Sequence, residues 1–266
     1  MYELSMTVLS NQPIARDIYR MAIHCNDPRF FEAFQGGQFI QLRVPQAGDL
    51  LLRRPFAVET VSPHNQSFTI AYQLAGKGTR ALVVAQPGMP ISIVGPLGSP
   101  FDVAAAQDIW LLGGGVGIAP LHSVAQAHPD RRYRSYVGFT NKDFAFDLSP
   151  LAAYGELVLC TDDGSAGYDG YAVSAAMEAL DRGERPDLIL ACGTGQMLAA
   201  LGVAMAQRNY PVPCLISMES RMGCGTGVCL TCNCKTKKVD GGWQYLRSCV
   251  EGPVFPLEEV LFDEIH

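Results

Sequence analysis

Along the first hundred residues, apolar and polar positions alternate in short runs set off by glycine, proline and asparagine. Residues 2–9, 18–24, 38–44, 56–60, 67–73 and 89–94 follow this period of two and are rich in Val, Ile, Tyr and Phe, so each is predicted to be a strand. Short strands at this spacing predict a small antiparallel barrel, interrupted by one short helix over 79–85. From about Asp108 the rhythm changes to strand and helix in alternation. Strands are predicted over 108–112, 134–139, 157–161, 188–191 and 214–218. Helices are predicted from 120 to about 127, over 171–181 and over 195–207. Such alternation gives an open parallel sheet, whose ligands bind at the C-terminal ends of the strands near the switch in strand order. The longest apolar run, 188–206, is broken by Gly193-Thr194-Gly195-Gln196 and reads as strand, turn and helix, not as a membrane span.

Composition narrows the class. The 266 residues are 48% hydrophobic and 17% charged, as in soluble globular proteins with room for two ordinary domains. A net charge of −6 argues against a nucleic-acid or anionic-membrane partner. The start, MYELSMTVLS, has no basic segment followed by an apolar core, so no export signal is read there. Nine cysteines without such a signal fit a reducing cytoplasm, where cysteines bind metals or sit in cores.

The cysteines carry the sharpest chemical pattern. Cys224, Cys229 and Cys232 form a C-x4-C-x2-C run, and Cys249 follows seventeen positions later. This is the plant-type [2Fe–2S] spacing. A tight loop can wrap three thiolates round a two-iron rhomb while a distant residue closes the far side. Gly223, Gly225 and Gly227 let the backbone curl inward and aim amide N–H groups at a negative cluster. Cys234 is so close to Cys232 that its thiolate would have to fold back, which makes Cys249 the expected fourth ligand. A structural zinc site and plain free thiols remain as alternatives, although zinc sites usually show two short cysteine pairs.

Four further patterns each admit two readings. Arg53-Arg54-Pro55-Phe56-Ala57 can grip a phosphate with guanidinium forks, or be an exposed charged edge. Gly76-Lys77-Gly78-Thr79 can seat an anion at a helix start, or simply turn the chain. Gly113, Gly114, Gly115 and Gly117 follow the first strand of the sheet and let a pyrophosphate approach the backbone. They miss the G-x-G-x-x-G register, because Pro120 stands where the last glycine belongs. Cys192-Gly193-Thr194-Gly195 follows a later strand and either lines the same crevice or holds a buried core thiol. His24, His64, His122, His128 and His266 show no ligand spacing, and no catalytic triad or carboxylate pair is arguable.

Taken with LLRRPFA (51–57), GKGT (76–79), GPLG (95–98), GGGVGIAPL (113–121), DDGSAGYDG (162–170), MESRMGCGTGVCLTCNC (218–234) and SCVEGPVF (248–255), the chain resembles the ferredoxin–NADP reductase superfamily. Within it, the chain more closely resembles the electron-transfer subunits of NAD-dependent (class 1B) dihydroorotate dehydrogenases. The resemblance implies an FAD-binding barrel over 1–100, an NAD-binding α/β domain over 101–218 and a small [2Fe–2S] domain over 219–266. It places Arg54, Pro55, Phe56 and Ala57 at the ribityl phosphate and ring edge of FAD, and Gly76, Gly78 and Thr79 at its pyrophosphate. Gly113, Gly114, Gly115 and Gly117 fall at the nicotinamide dinucleotide, Cys192 and Gly193 beside the nicotinamide, and Cys224, Cys229, Cys232 and Cys249 on the cluster.

No catalytic acid or base is implied in this chain. Electrons would pass from dihydroorotate, oxidised at FMN in a separate catalytic subunit, through the cluster and FAD to NAD+, in a cytoplasmic heterotetramer serving pyrimidine biosynthesis. Met222, Val228, Leu230, Trp243 and Tyr245 would supply part of the contact or pack the cluster domain. A sulfide dehydrogenase, transhydrogenase or hydrogenase diaphorase subunit shares the same module, and a colourless zinc-binding interaction module is the reading from another class. Two positions depart from the superfamily: Ala57 replaces a Ser or Thr that donates near flavin N5, and Thr194 replaces Pro or Gly. Lys142 is the only cation in 140–143, which favours NAD over NADP.

Overall fold

The computed structural model describes residues 2–44, 50–208 and 210–264; His266 lies outside them. The N-terminal part comprises β1 (Tyr2–Ala15), β2 (Ile18–His24), α1 (Pro28–Ala33), β3 (Phe39–Arg43), β4 (Arg54–Ala57), β5 (Thr60–Ser62), β6 (Ser67–Gln73), α2 (Lys77–Leu82) and β7 (Pro90–Leu97). Its seven strands form one antiparallel sheet in the order β4-β3-β7-β1-β2-β6-β5. The sheet curls until β4 meets β6 and encloses Ile23, Phe30, Ile40, Leu42, Phe68 and Ile70. This is the expected antiparallel barrel.

Three elements differ from the sequence reading. Strand β1 runs for 14 residues, pairing with β7 along its first half and with β2 along its second, with register shifts between Val8 and Ser10 and between Pro13 and Ala15. The polar stretch Asn11-Gln12-Pro13 masked this extension. The Asn11 amide has a structural reason: it donates to the carbonyls of Leu82, Val83 and Ala85 and accepts from the Tyr72 hydroxyl, satisfying the end of α2. The predicted strand over 56–60 divides into β4 and β5. Between them stands Glu59, buried and held by two bonds from Arg20 and one from Thr69. Helix α1 was not foreseen, although Asp27 caps it and Pro28 occupies its first turn.

The second part comprises β8 (Asp108–Gly114), α3 (Ile118–Ala127), β9 (Arg132–Phe139), α4 (Ser149–Ala152), β10 (Gly155–Thr161), β11 (Tyr168–Asp169), α5 (Ala172–Asp181), β12 (Leu188–Cys192), α6 (Gly195–Arg208) and β13 (Cys214–Ser217). The C-terminal segment adds β14 (Asn233–Lys237), β15 (Trp243–Arg247) and β16 (Val254–Pro256). The large sheet has the order β11-β10-β9-β8-β12-β13-β16. Strand order reverses between β8 and β12, both buried along most of their length as expected for central parallel strands. One correction applies: the sheet is not wholly parallel. Strand β16 runs antiparallel to β13, with Phe255 opposite Ile216, so the cysteine-bearing segment supplies the edge of the nucleotide sheet. Its other two strands form a separate hairpin. Among the described residues, no helix is long and apolar enough to cross a membrane.

The barrel is tied to α3. The Gly37 N–H donates to Ser123 Oγ at 2.9 Å, and Gln126 exchanges two bonds with the Val61 backbone. A Cβ on Gly36 would lie 2.8 Å from Val124 Cα, so only glycine permits this approach. Ser123 is 1% exposed. Ser123→Ala strands the buried Gly37 N–H and is expected to lower unfolding stability by about 1–3 kcal/mol in chemical denaturation. An unchanged midpoint and slope would contradict this tie.

Candidate cofactor cleft and cysteine centre

A cleft of about 1110 Å³ opens between barrel and sheet. It exceeds the roughly 300–1,000 Å³ of ordinary small-molecule sites. Pro55, Phe56, Ala57 and Thr79 face it from the barrel, and Gly114, Gly115, Gly117, Cys192 and Gly193 face it from the strand ends. The fold therefore brings together nine of the residues singled out from the sequence. Arg54, Gly76, Gly78 and Gly113 do not line it. Gly113 is paired within β8, and a Cβ there would meet Ile118 Cδ1 at 2.7 Å, so this glycine lets α3 close on the strand. Arg54 lies across Gly78, whose Cβ would fall 2.6 Å from Arg54 Nε. This cluster adjoins Thr79, whose Oγ1 accepts from the Ala75 and Gly76 amides. Arg53 is structural: it bonds Glu3 and both the carbonyl and the hydroxyl of Ser92.

The two glycine loops meet backbone to backbone. A Cβ on Gly117 would lie 2.6 Å from the Cys192 carbonyl oxygen, and one on Gly114 or Gly193 would fall 2.8 or 2.6 Å from Met197 Sδ. Gly115 is different. Its φ of +54° is left-handed, and a Cβ there would meet nothing within 4 Å, so its open side faces the cleft. This is the concave, amide-lined place that a phosphate can approach closely.

Cys192 is buried, and burial first and nearby Glu219 second push its thiol up to about 12, so it stays neutral. Sequence reasoning missed Glu219. It lies two residues beyond β13 and is exposed to the cleft, where partial loss of water from the surrounding protein raises its carboxyl above the ordinary 4.5. The signal available was position: an acid just beyond the last parallel strand. Asp162, also on the cleft, directly follows β10.

The cysteines gather against the outside of the barrel. Cys232 and Cys249 are buried, with their sulfurs 3.2 Å apart, and pack on Phe39 and Leu97. Cys224 and Cys229 form a second pair, with the Cys224 amide 3.4 Å from Cys229 Sγ and the Thr226 amide 3.3 Å from Cys224 Sγ. Among the described residues, no three potential ligands close on one point at metal-binding distance; the sulfurs stand as two neighbouring pairs. Two thiolates at each end is the arrangement a two-iron rhomb requires, and the amides aimed at sulfur suit its negative charge. Burial raises the Cys224 thiol, but hydrogen bonds from Thr226 and from Cys229 outweigh it and bring it down to about 6. Burial and Cys232 together raise Cys249 to about 12, a cost that binding of a metal cluster would remove. Left-handed Gly225 and Gly227 shape the loop, and Arg247 clasps it through the Gly227 carbonyl at 3.0 Å while paired with Glu251. Cys234 turns the other way, into the core beside Met218, Phe255 and Val260.

Barrel, reversed parallel sheet and intervening cleft define a reductase scaffold of the ferredoxin–NADP reductase type. The chain superposes with a TM-score of 0.85, at 30% identity, on a solved structure described as an NADH-dependent reduced ferredoxin–NADP oxidoreductase, covering 97% of this chain and 90% of that one. Residues 219–261 match the family model for the iron-sulfur cluster binding domain of dihydroorotate dehydrogenase B. The chain is 33% identical over 261 residues to the dihydroorotate dehydrogenase B (NAD(+)) electron transfer subunit of Enterococcus faecalis, covering 96% of this chain and 97% of that protein. It is 36% identical over 261 residues to the subunit of the same name from Caldanaerobacter subterraneus subsp. tengcongensis, covering 98% and 99%. The chain belongs to this family of dihydroorotate dehydrogenase B electron transfer subunits, as its motifs implied.

Glu219 yields a pH-dependent expectation. Its folded pKa lies above the unfolded value of 4.5, so the folded state keeps a proton that the unfolded chain has released. Stability therefore falls as pH rises from about 4.5 through the folded pKa. Glu219→Gln removes this penalty. Because Glu219 is exposed to the cleft, the penalty is small: the variant should melt slightly above the parent at about pH 7, with the gap closing at about pH 4 and below. Equal melting temperatures at neutral pH would contradict the assignment.

Proposed function

We propose that this chain carries electrons between NAD+ and the FMN-bearing catalytic subunit of a dihydroorotate dehydrogenase, using FAD in the cleft and a [2Fe–2S] cluster on Cys224, Cys229, Cys232 and Cys249. One observation carries the reading: Phe39 and Met222 both line the cleft and both belong to the apolar contact that holds Cys232 and Cys249. Cleft and cysteine centre thus share a wall. FAD supplies the exchange between two-electron hydride chemistry and one-electron transfer.

The chain's own residues position and shield. Pro55, Phe56 and Ala57 form the barrel wall for the flavin ring, with Ala57 presenting backbone and no hydroxyl. Arg54, Gly76, Gly78 and Thr79 gather at the rim to receive its phosphates. The open face of Gly115, with Gly114 and Gly117, takes the nicotinamide dinucleotide, while Gly113 supports the loop from within β8. Cys192 and Gly193 floor the nicotinamide place, where a neutral thiol excludes water without adding charge. NAD is favoured over NADP, since residues 140–143 after β9 offer Lys142 as their single cation for a 2′-phosphate. No residue is assigned as a general acid or base. Cys234, packed in the core, is no ligand. The units are 1–100, 101–218 and 219–266, with β16 of the last completing the sheet of the second.

The partner surface lies over the cysteine loop, where Val228, Leu230 and Val250 stand exposed, with Trp243 and Tyr245 on the adjoining hairpin. Met222 packs inward on Phe39 and belongs to the wall instead. A heterotetramer of two of each subunit in the cytoplasm completes the reading.

Purified alone, the protein should oxidise NADH with artificial dyes and leave dihydroorotate untouched. Adding the FMN subunit should establish dihydroorotate-dependent NAD+ reduction. Cys249→Ala should block that coupled reaction at least tenfold while largely sparing dye reduction, and Cys234→Ala should leave both intact. Dihydroorotate turnover by the isolated chain, or coupled turnover surviving Cys249→Ala, would refute the scheme.

A further inference from the structure

Strand β3 alternates in the ordinary way. Ile40 and Leu42 point into the barrel core, while Phe39 and Gln41 point outward. An outward glutamine on a barrel strand normally meets water. Gln41 is instead 0% exposed. What covers it is the cysteine loop: a Cβ added to Gly225 would lie 2.5 Å from Gln41 Cγ and 2.9 Å from Nε2. The amide therefore presses on the backbone directly beside Cys224. Among the described residues, the hydrogen-bond partner of its side chain is Met222 Sδ, a weak acceptor at 3.5 Å, and its buried Oε1 has none.

Such a side chain is costly. A buried amide left unsatisfied loses the hydration of its polar atoms without replacement, a loss that a Leu or Met of similar volume would not incur. The neighbouring outward residue, Phe39, touches Cys232 and Cys249, so this face of β3 is the floor on which the sulfurs rest. On its other side, Gln41 pairs across the sheet with Pro55, which lines the cleft. This buried amide thus stands between a strand that lines the cleft and the cysteine loop, and its NH2 group is engaged only by the weak Met222 acceptor among the described residues.

We propose that Gln41 is a positioning residue that donates an N–H hydrogen bond from the barrel into the sulfur shell of the Cys224–Cys249 centre and thereby sets its reduction potential. This rests on the reading of those cysteines as cluster ligands. Donation to sulfur stabilises the more negative, reduced state, so the bond raises the potential and favours electron arrival at the centre. It also explains why position 225 is glycine twice over: the left-handed φ of +73° and the amide beneath it both exclude a side chain.

The test is a reductive titration of the full-length protein carrying FAD and cluster, followed by electron paramagnetic resonance and by flavin absorbance. Gln41→Met and Gln41→Leu keep the volume and remove the donor. Both should retain the iron–sulfur signal with its midpoint shifted to lower potential, while the flavin midpoint stays in place. A full signal at an unshifted midpoint in either variant would overturn the proposal. Should both variants lose the cluster, pulsed resonance on the unmodified protein, isotopically labelled at the glutamine side-chain nitrogen, decides. A nitrogen coupling to the reduced centre is expected, and its absence overturns the assignment. If the unmodified protein shows no iron–sulfur signal, the reading of the cysteines falls first, and the role of Gln41 falls with it.

Discussion

The outer face of β3 and β7 cannot face water. Phe39, Val94 and Leu97 project from it, and the structure buries them under Cys232, Cys249 and Met222. That contact fixes where the cysteine loop sits relative to the cleft, because Phe39 belongs to both. It is reinforced at the chain turns: the Ser99 amide donates to the Gly252 carbonyl at 2.6 Å, and left-handed Gly98 makes room for Pro253. The return of β16 to the sheet edge holds the segment from the other side. The small cysteine segment is thus held against both larger parts by ordinary burial and pairing and does not hang from a linker.

The functional geometry follows from this arrangement. Hydride exchange needs a sheltered cleft with close backbone approach, a geometry that the abutting glycine loops of β8 and β12 fit in the proposed scheme. Electron transfer onward weakens steeply with distance, so the sulfurs must lie just behind the cleft wall, and burial of one barrel face places them there. Transfer outward needs the same centre near the surface, and Cys229 is exposed while Cys232 and Cys249 are buried. In the proposed scheme the centre faces the cleft wall on one side and the proposed partner surface on the other.

The sequence made some of this legible and hid the rest for identifiable reasons. Local spacing and turn chemistry showed the C-x4-C-x2-C loop, the glycine turn after β8 and the change from period two to alternating strand and helix. Features that depend on contact between distant segments left no local trace. Gln41 reads as an ordinary outward polar residue of a strand until Gly225 is laid over it. Asn11 reads as a break in a strand until the end of α2 is seen to need its amide. Strand β16 spans 3 residues, too short for any periodicity, and is made a strand by its partner β13. Gly113 reads from sequence like its loop neighbours, but its place inside β8 gives it a packing role. Glu219 carried a positional signal that went unused, because the cysteine run beside it dominated that stretch.

The central claim is that cleft and cysteine centre form one electron path within a single chain. Anaerobic mixing of the isolated holoprotein with NADH, with parallel stopped-flow absorbance and rapid-freeze paramagnetic resonance, tests it most directly. Flavin bleaching should be followed by growth of the iron–sulfur signal at a rate independent of protein concentration. A signal that never grows, or one whose rate scales with protein concentration, would contradict an internal path.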